Sequence, residues 1–174
     1  MTAWNGGSLT DEQTPHPVLW HARIDEFGYS LSSLPTFSSK WFHAFWGDAK
    51  TTRRLRTWGH KDKGDKYGPH FLCTRGGTPY HTDPGYGRYC LQVQVYNQGY
   101  LVHGLGDDIK RMPLFTPGLV ILLDTWSPHR VARDPRMPQR GLNKVLAGSD
   151  FPEKPDIAVE LPKIMEHIPS LRLP

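Results

Sequence analysis

Hydrophobic and polar positions alternate with a period of two through much of this 174-residue chain. That period sends successive side chains to opposite faces and marks half-buried strands. In residues 17–27 (PVLWHARIDEF), Val18, Trp20, Ala22 and Ile24 share one face. Residues 51–58 alternate weakly, and residues 70–74 (HFLCT) form a short apolar run that ends in the turn Arg75-Gly76-Gly77. Residues 89–95 (YCLQVQV) alternate and carry β-branched side chains, which favour a pleated surface. Residues 100–102 form a short strand able to pair nearby. Residues 115–124 (FTPGLVILLD) are the most apolar of the chain; after Pro117-Gly118, the continuous run 119–123 predicts a fully buried strand. Residues 129–132 and 140–147 predict the last two strands, after turns at 126–128 and 134–138.

Helical spacing is rarer. In residues 38–46, Trp41, Phe42, Phe45 and Trp46 make an aromatic stripe behind Ser38 and Ser39, either of which can cap the start. This predicts a helix lying on a sheet. One or two further helical turns fit residues 161–168. With 17 glycines and 16 prolines, long helices are disfavoured and short strands joined by turns are expected. The expected organisation is one mainly β domain of residues 1–174: a loose arm to residue 17, N-terminal strands and helix over 17–58, a core over about 70–148, and an extension over 149–174.

Composition narrows the class. The chain is 37% hydrophobic, with a mean hydropathy of −0.54 and no apolar run of 18 residues, so no membrane span is expected. The first residues lack the basic and apolar regions of a signal peptide, and the expected compartment is cytoplasmic. Two cysteines, Cys73 and Cys90, sit in apolar runs and are expected as buried free thiols, with a bridge between them left open. The net charge is +4. Arg53, Arg54, Arg56, Lys61, Lys63 and Lys66 cluster, interrupted by Asp62 and Asp65. Such a cluster is either a solvated loop or a phosphate-binding patch. It keeps nucleic acid open as a partner, although no aromatic-rich binding motif accompanies it.

The chemistry centres on His81-Thr82-Asp83. Two residues apart on an extended chain, imidazole and carboxylate point to one side. His60-Lys61-Asp62 has the same spacing, but it lies in a charged loop, whereas His81 and Asp83 stand between two strands and between Pro79 and Pro84. Ligands need a rigid frame, which favours the second pair. His129, at the start of a strand beyond the most buried run, supplies a third donor. Two imidazoles and one carboxylate form the facial triad of non-haem iron(II) oxygenases.

From about residue 70 to 147 the chain resembles the iron(II)/2-oxoglutarate-dependent oxygenase superfamily. The resemblance rests on His81-x-Asp83…His129, on the stretch 118–124 followed by His129-Arg130-Val131, and on Arg140, eleven residues past the distal histidine. It implies a double-stranded β-helix (jelly-roll or cupin-like) with one or two short helices packed outside. It also implies iron(II) on His81, Asp83 and His129, with 2-oxoglutarate and O2 as co-substrates and Arg140 holding the far carboxylate of 2-oxoglutarate. The family often has Ser or Thr two residues after that arginine; here Leu142 stands there. Arg130, Arg133 and Arg136 compete for the role, although Arg130, next to His129, should face away from the metal.

The implied reaction is hydroxylation of an unactivated C–H bond with release of succinate and CO2, since halogenating members lack the carboxylate that Asp83 provides. Tyr89 and Gln92 are candidates to hydrogen-bond the co-substrate, and Arg75, Tyr86, Arg88 and Trp126 to line the substrate site. The substrate class stays open among a small molecule, a peptidyl side chain and a nucleobase. Two other readings stand beside this one: a non-catalytic jelly-roll binding or structural module, and a cupin-like metalloenzyme that does not use 2-oxoglutarate.

Overall fold

The alternating segments assemble into two antiparallel sheets. The computed structural model describes residues 17–34, 55–58, 70–74, 78–83, 87–104, 106–134, 136 and 144–168. The strands among them are β1 (Val18–Arg23), β2 (Leu55–Trp58), β3 (His70–Thr74), β4 (Tyr89–Asn97), β5 (Gly99–His103), β6 (Lys110–Pro113), β7 (Leu119–Asp124), β8 (His129–Arg133) and β9 (Lys144–Phe151), followed by one helix, α1 (Ile157–His167). The larger sheet has the order β1-β7-β4-β9-β3-β2 and the smaller β6-β5-β8. The chain is therefore mainly β.

The pleat of the larger sheet sorts two cores. Leu91, Val93 and Val95 of β4, Val120 and Leu122 of β7, and Val145 and Ala147 of β9 pack with Leu161, Ile164, Met165 and Ile168 from α1 and the turn after it. The alternate residues Cys90, Leu119, Ile121 and Leu123 meet Leu101 and Val131 of the smaller sheet. Each fully buried aliphatic side chain contributes about 1.5–3 kcal/mol relative to exposure. The α1 side is built as expected for a helix on a sheet: Leu161, Ile164, Met165 and Ile168 fall at i, i+3, i+4 and i+7. Asp156 caps it, accepting from the Ala158 amide at 3.1 Å.

Four boundaries differ from expectation. The first strand ends at Arg23; Ile24–Phe27 form a 3-10 turn, because the Ile24 amide is taken by the Gly118 carbonyl at 2.9 Å and Gly28, at φ +84°, reverses the chain. Strand β6 was not foreseen, since KRMP is largely exposed and offers no apolar alternation. An edge strand bearing Lys, Arg and Pro is how sheets discourage further pairing. Strand β9 is described from Lys144 and runs on to Phe151, into the segment expected as an extension. Gly148-Ser149-Asp150 has turn composition, yet all three are buried in mid-sheet. Gly148 is required there because a Cβ would lie 2.8 Å from the Leu91 carbonyl oxygen. Helix α1 starts four residues earlier than the stretch 161–168, with Pro162 inside it.

The turn Pro117-Gly118 stands as expected, with Gly118 at φ +78° against Leu31 and Ile24. Cys90 is a buried free thiol, so no bridge joins it to Cys73. Among the described residues no helix is long and apolar enough to cross a membrane. The arm, the helix expected over residues 38–46, the pair His60 and Asp62, and all of the basic cluster except the backbone of β2 lie outside the described residues.

Candidate metal centre

Residues 78–83 run along β8 as a short extra edge of the smaller sheet. The His81 amide donates to the His129 carbonyl at 3.0 Å, and the His129 amide donates back at 3.1 Å. Directly opposed residues of an antiparallel pair project to the same side, so this bridge brings the two imidazoles together. Their ring centroids are 4.6 Å apart. Thr78 extends the contact: its amide donates to the Val131 carbonyl at 2.8 Å, and its hydroxyl accepts from the Val131 amide at 2.9 Å. The Tyr80 hydroxyl donates to the Gly104 carbonyl at 3.1 Å. Asp83 is fixed from the other direction, its amide donating to the Thr125 carbonyl at 2.9 Å.

Asp83 sits between the two rings. His81 Nε2 is 3.7 Å from Asp83 Oδ1, and His129 Nε2 is 3.6 Å from Asp83 Oδ2. One ligand atom from each residue lies within 4.8 Å of the others. These separations exceed hydrogen-bond length. They approach the roughly 3–3.5 Å between donors that share an ion at about 2.1 Å. The tautomers agree. His81 Nδ1 is 2.6 Å from the Pro79 carbonyl oxygen and His129 Nδ1 is 2.7 Å from that of Ser127. A carbonyl only accepts, so each Nδ1 carries the proton. Both Nε2 lone pairs then face Asp83, the arrangement that orients metal-bound histidines. Burial alone would raise the Asp83 carboxyl, but the close approach of the His129 and His81 rings and the nearby Lys144 charge bring it below the usual carboxylate range. The donor set fits a divalent metal. The His129 side chain is buried, while His81 and Asp83 are partly open to solvent.

Behind the triad, the inward face of β4 is polar in a way the strand pattern did not reveal. Asn97 Nδ2 donates to Gln94 Oε1 at 2.8 Å, Gln94 Nε2 to Gln92 Oε1 at 3.2 Å, and Gln92 Nε2 to Cys90 Sγ at 3.4 Å. This amide chain lies along β4 between the sheets. Asp150 stands opposite Cys90, and Lys144 opposite Asn97. Burial first, and then the negative charge of Asp150, push the Cys90 thiol well up. Lys144 is buried at 8% exposure, on the β9 face opposite to Val145 and Ala147. A lone lysine at a strand start carries no sequence signal for such a position.

The remaining candidates divide. Gln92 lies on the triad's side of β4. Tyr89 lies on the other side, packed with the α1 core and covered by the Arg88 guanidinium at 5.3 Å. Arg88 is held by Asp124, at 2.9 Å from Nη2 to Oδ2, and stacks over Trp126 at 5.1 Å. Trp126 stands 55% exposed between Thr125 and Ser127, whose carbonyls hold Asp83 and His129. It is thus at the rim of the centre. Arg130 turns outward as expected, over the Tyr80 ring at 5.5 Å. Arg136 pairs with Asp134 at 2.7 Å. Arg75, Tyr86 and Arg140 lie outside the described residues.

The chain matches no protein-family model, and comparison with curated proteins and with solved structures likewise gives no match, so the functional reading rests on the geometry of His81, Asp83 and His129.

Proposed function

We propose that this chain is an iron(II)- and 2-oxoglutarate-dependent oxygenase that hydroxylates an unactivated C–H bond, releasing succinate and CO2. The observation that carries the reading is the donor set itself: two imidazoles with protonated Nδ1 and one carboxylate, converging from two adjoining backbone segments. Such a set occupies one face of an octahedral ion and leaves three adjacent positions for co-substrates. Strand order supports it. Following the chain, β3 lies in the larger sheet, residue 81 in the smaller, β4 in the larger, β5 and β6 in the smaller, β7 in the larger, β8 in the smaller and β9 in the larger. That interleaving of eight segments over two sheets supports the jelly-roll reading.

Iron, with 2-oxoglutarate and O2, supplies the oxidation of the C–H bond. The chain's own residues hold the geometry. Pro79 and Ser127 fix the tautomers, and Thr125 fixes the Asp83 backbone. The carboxylate of Asp83 favours hydroxylation over halogenation. The amide chain Gln92-Gln94-Asn97 brings N–H donors to the inward face, the kind of group a dicarboxylate accepts from. A cation must meet the far carboxylate. Arg140 is the residue the resemblance assigns to that role. Lys144 is a second reading, favoured by its burial on the inward face.

The test is anaerobic addition of iron(II) and 2-oxoglutarate, followed by the visible charge-transfer band of the chelate. The band is expected in the native protein and lost in a His81→Ala, Asp83→Ala double variant; no band in the native protein overturns the reading. Titrating 2-oxoglutarate into Arg140→Ala and Lys144→Ala variants separates the two anchors, the true one losing about tenfold or more in affinity.

A further inference from the structure

The smaller sheet continues the row of imidazoles past the metal centre. His129 pairs with His81 on one side and, in register, with His103 of β5 on the other; His103 in turn opposes Lys110 of β6. His103 falls on the same face as Leu101, whose partner Val131 packs between the sheets, so its ring shares the inward face with His129. Beyond it lies a pocket of about 500 Å³ between β6 and the β1–β7 edge of the larger sheet. That volume suits a small molecule. Its walls divide by chemistry. Met112, Pro113 and Leu119 are apolar, His21 and His103 present imidazoles, and Lys110 and Arg111 bring two positive charges. Among the described residues no acidic side chain lines it; Glu26, the acid that acts electrostatically on His21, accepts from the Arg23 amide at 2.9 Å. Among the described residues neither Lys110 nor Arg111 is in an ion pair. The pocket's fixed positive charge is carried by Lys110 and Arg111.

Resting on the metal-centre reading above, we propose that this pocket holds the substrate, and that the substrate is a small amphipathic anion. Its apolar body lies against Met112, Pro113 and Leu119, its acid group meets Lys110 and Arg111, and its inner end is delivered past His103 toward His129. An apolar wall with a cationic rim selects that class: a neutral molecule leaves the charges unused, and a dianion has no place for an apolar tail.

The probe is octanoate, with 1-octanol as its neutral counterpart, titrated by calorimetry into the full chain at neutral pH. Expected are saturable binding of octanoate, at least tenfold weaker binding of 1-octanol, and at least tenfold loss for octanoate in a Lys110→Glu, Arg111→Glu variant. Both positions are exposed, so the variant should fold, and its unchanged affinity for cobalt(II) at the triad checks this. Equal binding of octanoate by the variant, equal binding of 1-octanol, or no saturable octanoate binding overturns the proposal. In cobalt-loaded protein, octanoate should shift the visible cobalt bands in the native chain and not in the variant. No shift separates the pocket from the metal centre, and a shift that persists in the variant means direct ligation; either overturns the substrate role. If octanoate binds as expected but cobalt does not bind at all, the metal-centre reading fails while the anion pocket stands.

Discussion

The two faces of β4 follow the same backbone and share the same neighbours, β7 and β9, yet they are built to opposite ends. Toward α1, Leu91, Val93 and Val95 are apolar and almost wholly buried. Toward the smaller sheet stand Cys90, Gln92, Gln94 and Asn97, with Asp150 across from Cys90 and Lys144 across from Asn97. The first face contributes hydrophobic stabilisation without a polar atom to satisfy. The second is also buried but carries polar groups that need partners, and the amide chain along β4 supplies several of them. Stability and chemistry are thus carried on opposite sides of one sheet. A polar inner face is affordable because the outer face supplies apolar burial.

That division is testable. The largest effect should come from the chemical side: Asp83→Ala should lower affinity for cobalt(II) more than the roughly 10- to 100-fold that a supporting residue costs. Its melting temperature without metal should stay near that of the native chain, since the Asp83 side chain is 41% exposed. A large loss of stability instead would mean that the carboxylate is structural. On the other face, Leu91→Ala should cost about 2–5 kcal/mol in urea denaturation and leave cobalt affinity unchanged in the folded protein. A matching loss of metal affinity would show that the faces are coupled.

Gly148→Ala tests the sheet between them. The new Cβ meets a backbone oxygen, which cannot swing aside, so a destabilisation of about 1–3 kcal/mol is expected by the same measurement. The smallest effect lies away from both faces. Asp134 is buried beside an exposed Arg136, whose hydrogen bonds hold its carboxyl below the usual range. A carboxyl lowered in the folded state adds stability that is complete above its unfolded pKa of about 3.9 and is lost as pH falls through the lower folded value. Arg136→Ala should therefore be less stable than the native chain at neutral pH, and the gap should close on acidification below about pH 4. A gap independent of pH would assign the effect to packing.

Sequence periodicity determined most of the strands, the buried run 119–123 and the helical turns over 161–168, because period and apolar content are local properties of the chain. It also brought His81, Asp83 and His129 forward, through a two-residue spacing and a strand frame on either side. Three features were beyond its reach. β6 has no apolar face, so only its pairing with β5 defines it. Residues 148–150 have the composition of a turn and became strand because β4 pairs with all three, and β3 also with Gly148. The inward placement of Lys144 and the opposition of His103 to His129 depend on register between segments far apart in the chain. A one-residue slip would reverse every side chain, and that choice belongs to the packing of the two faces together. The local pattern named the donors; cross-strand register aimed them at one point.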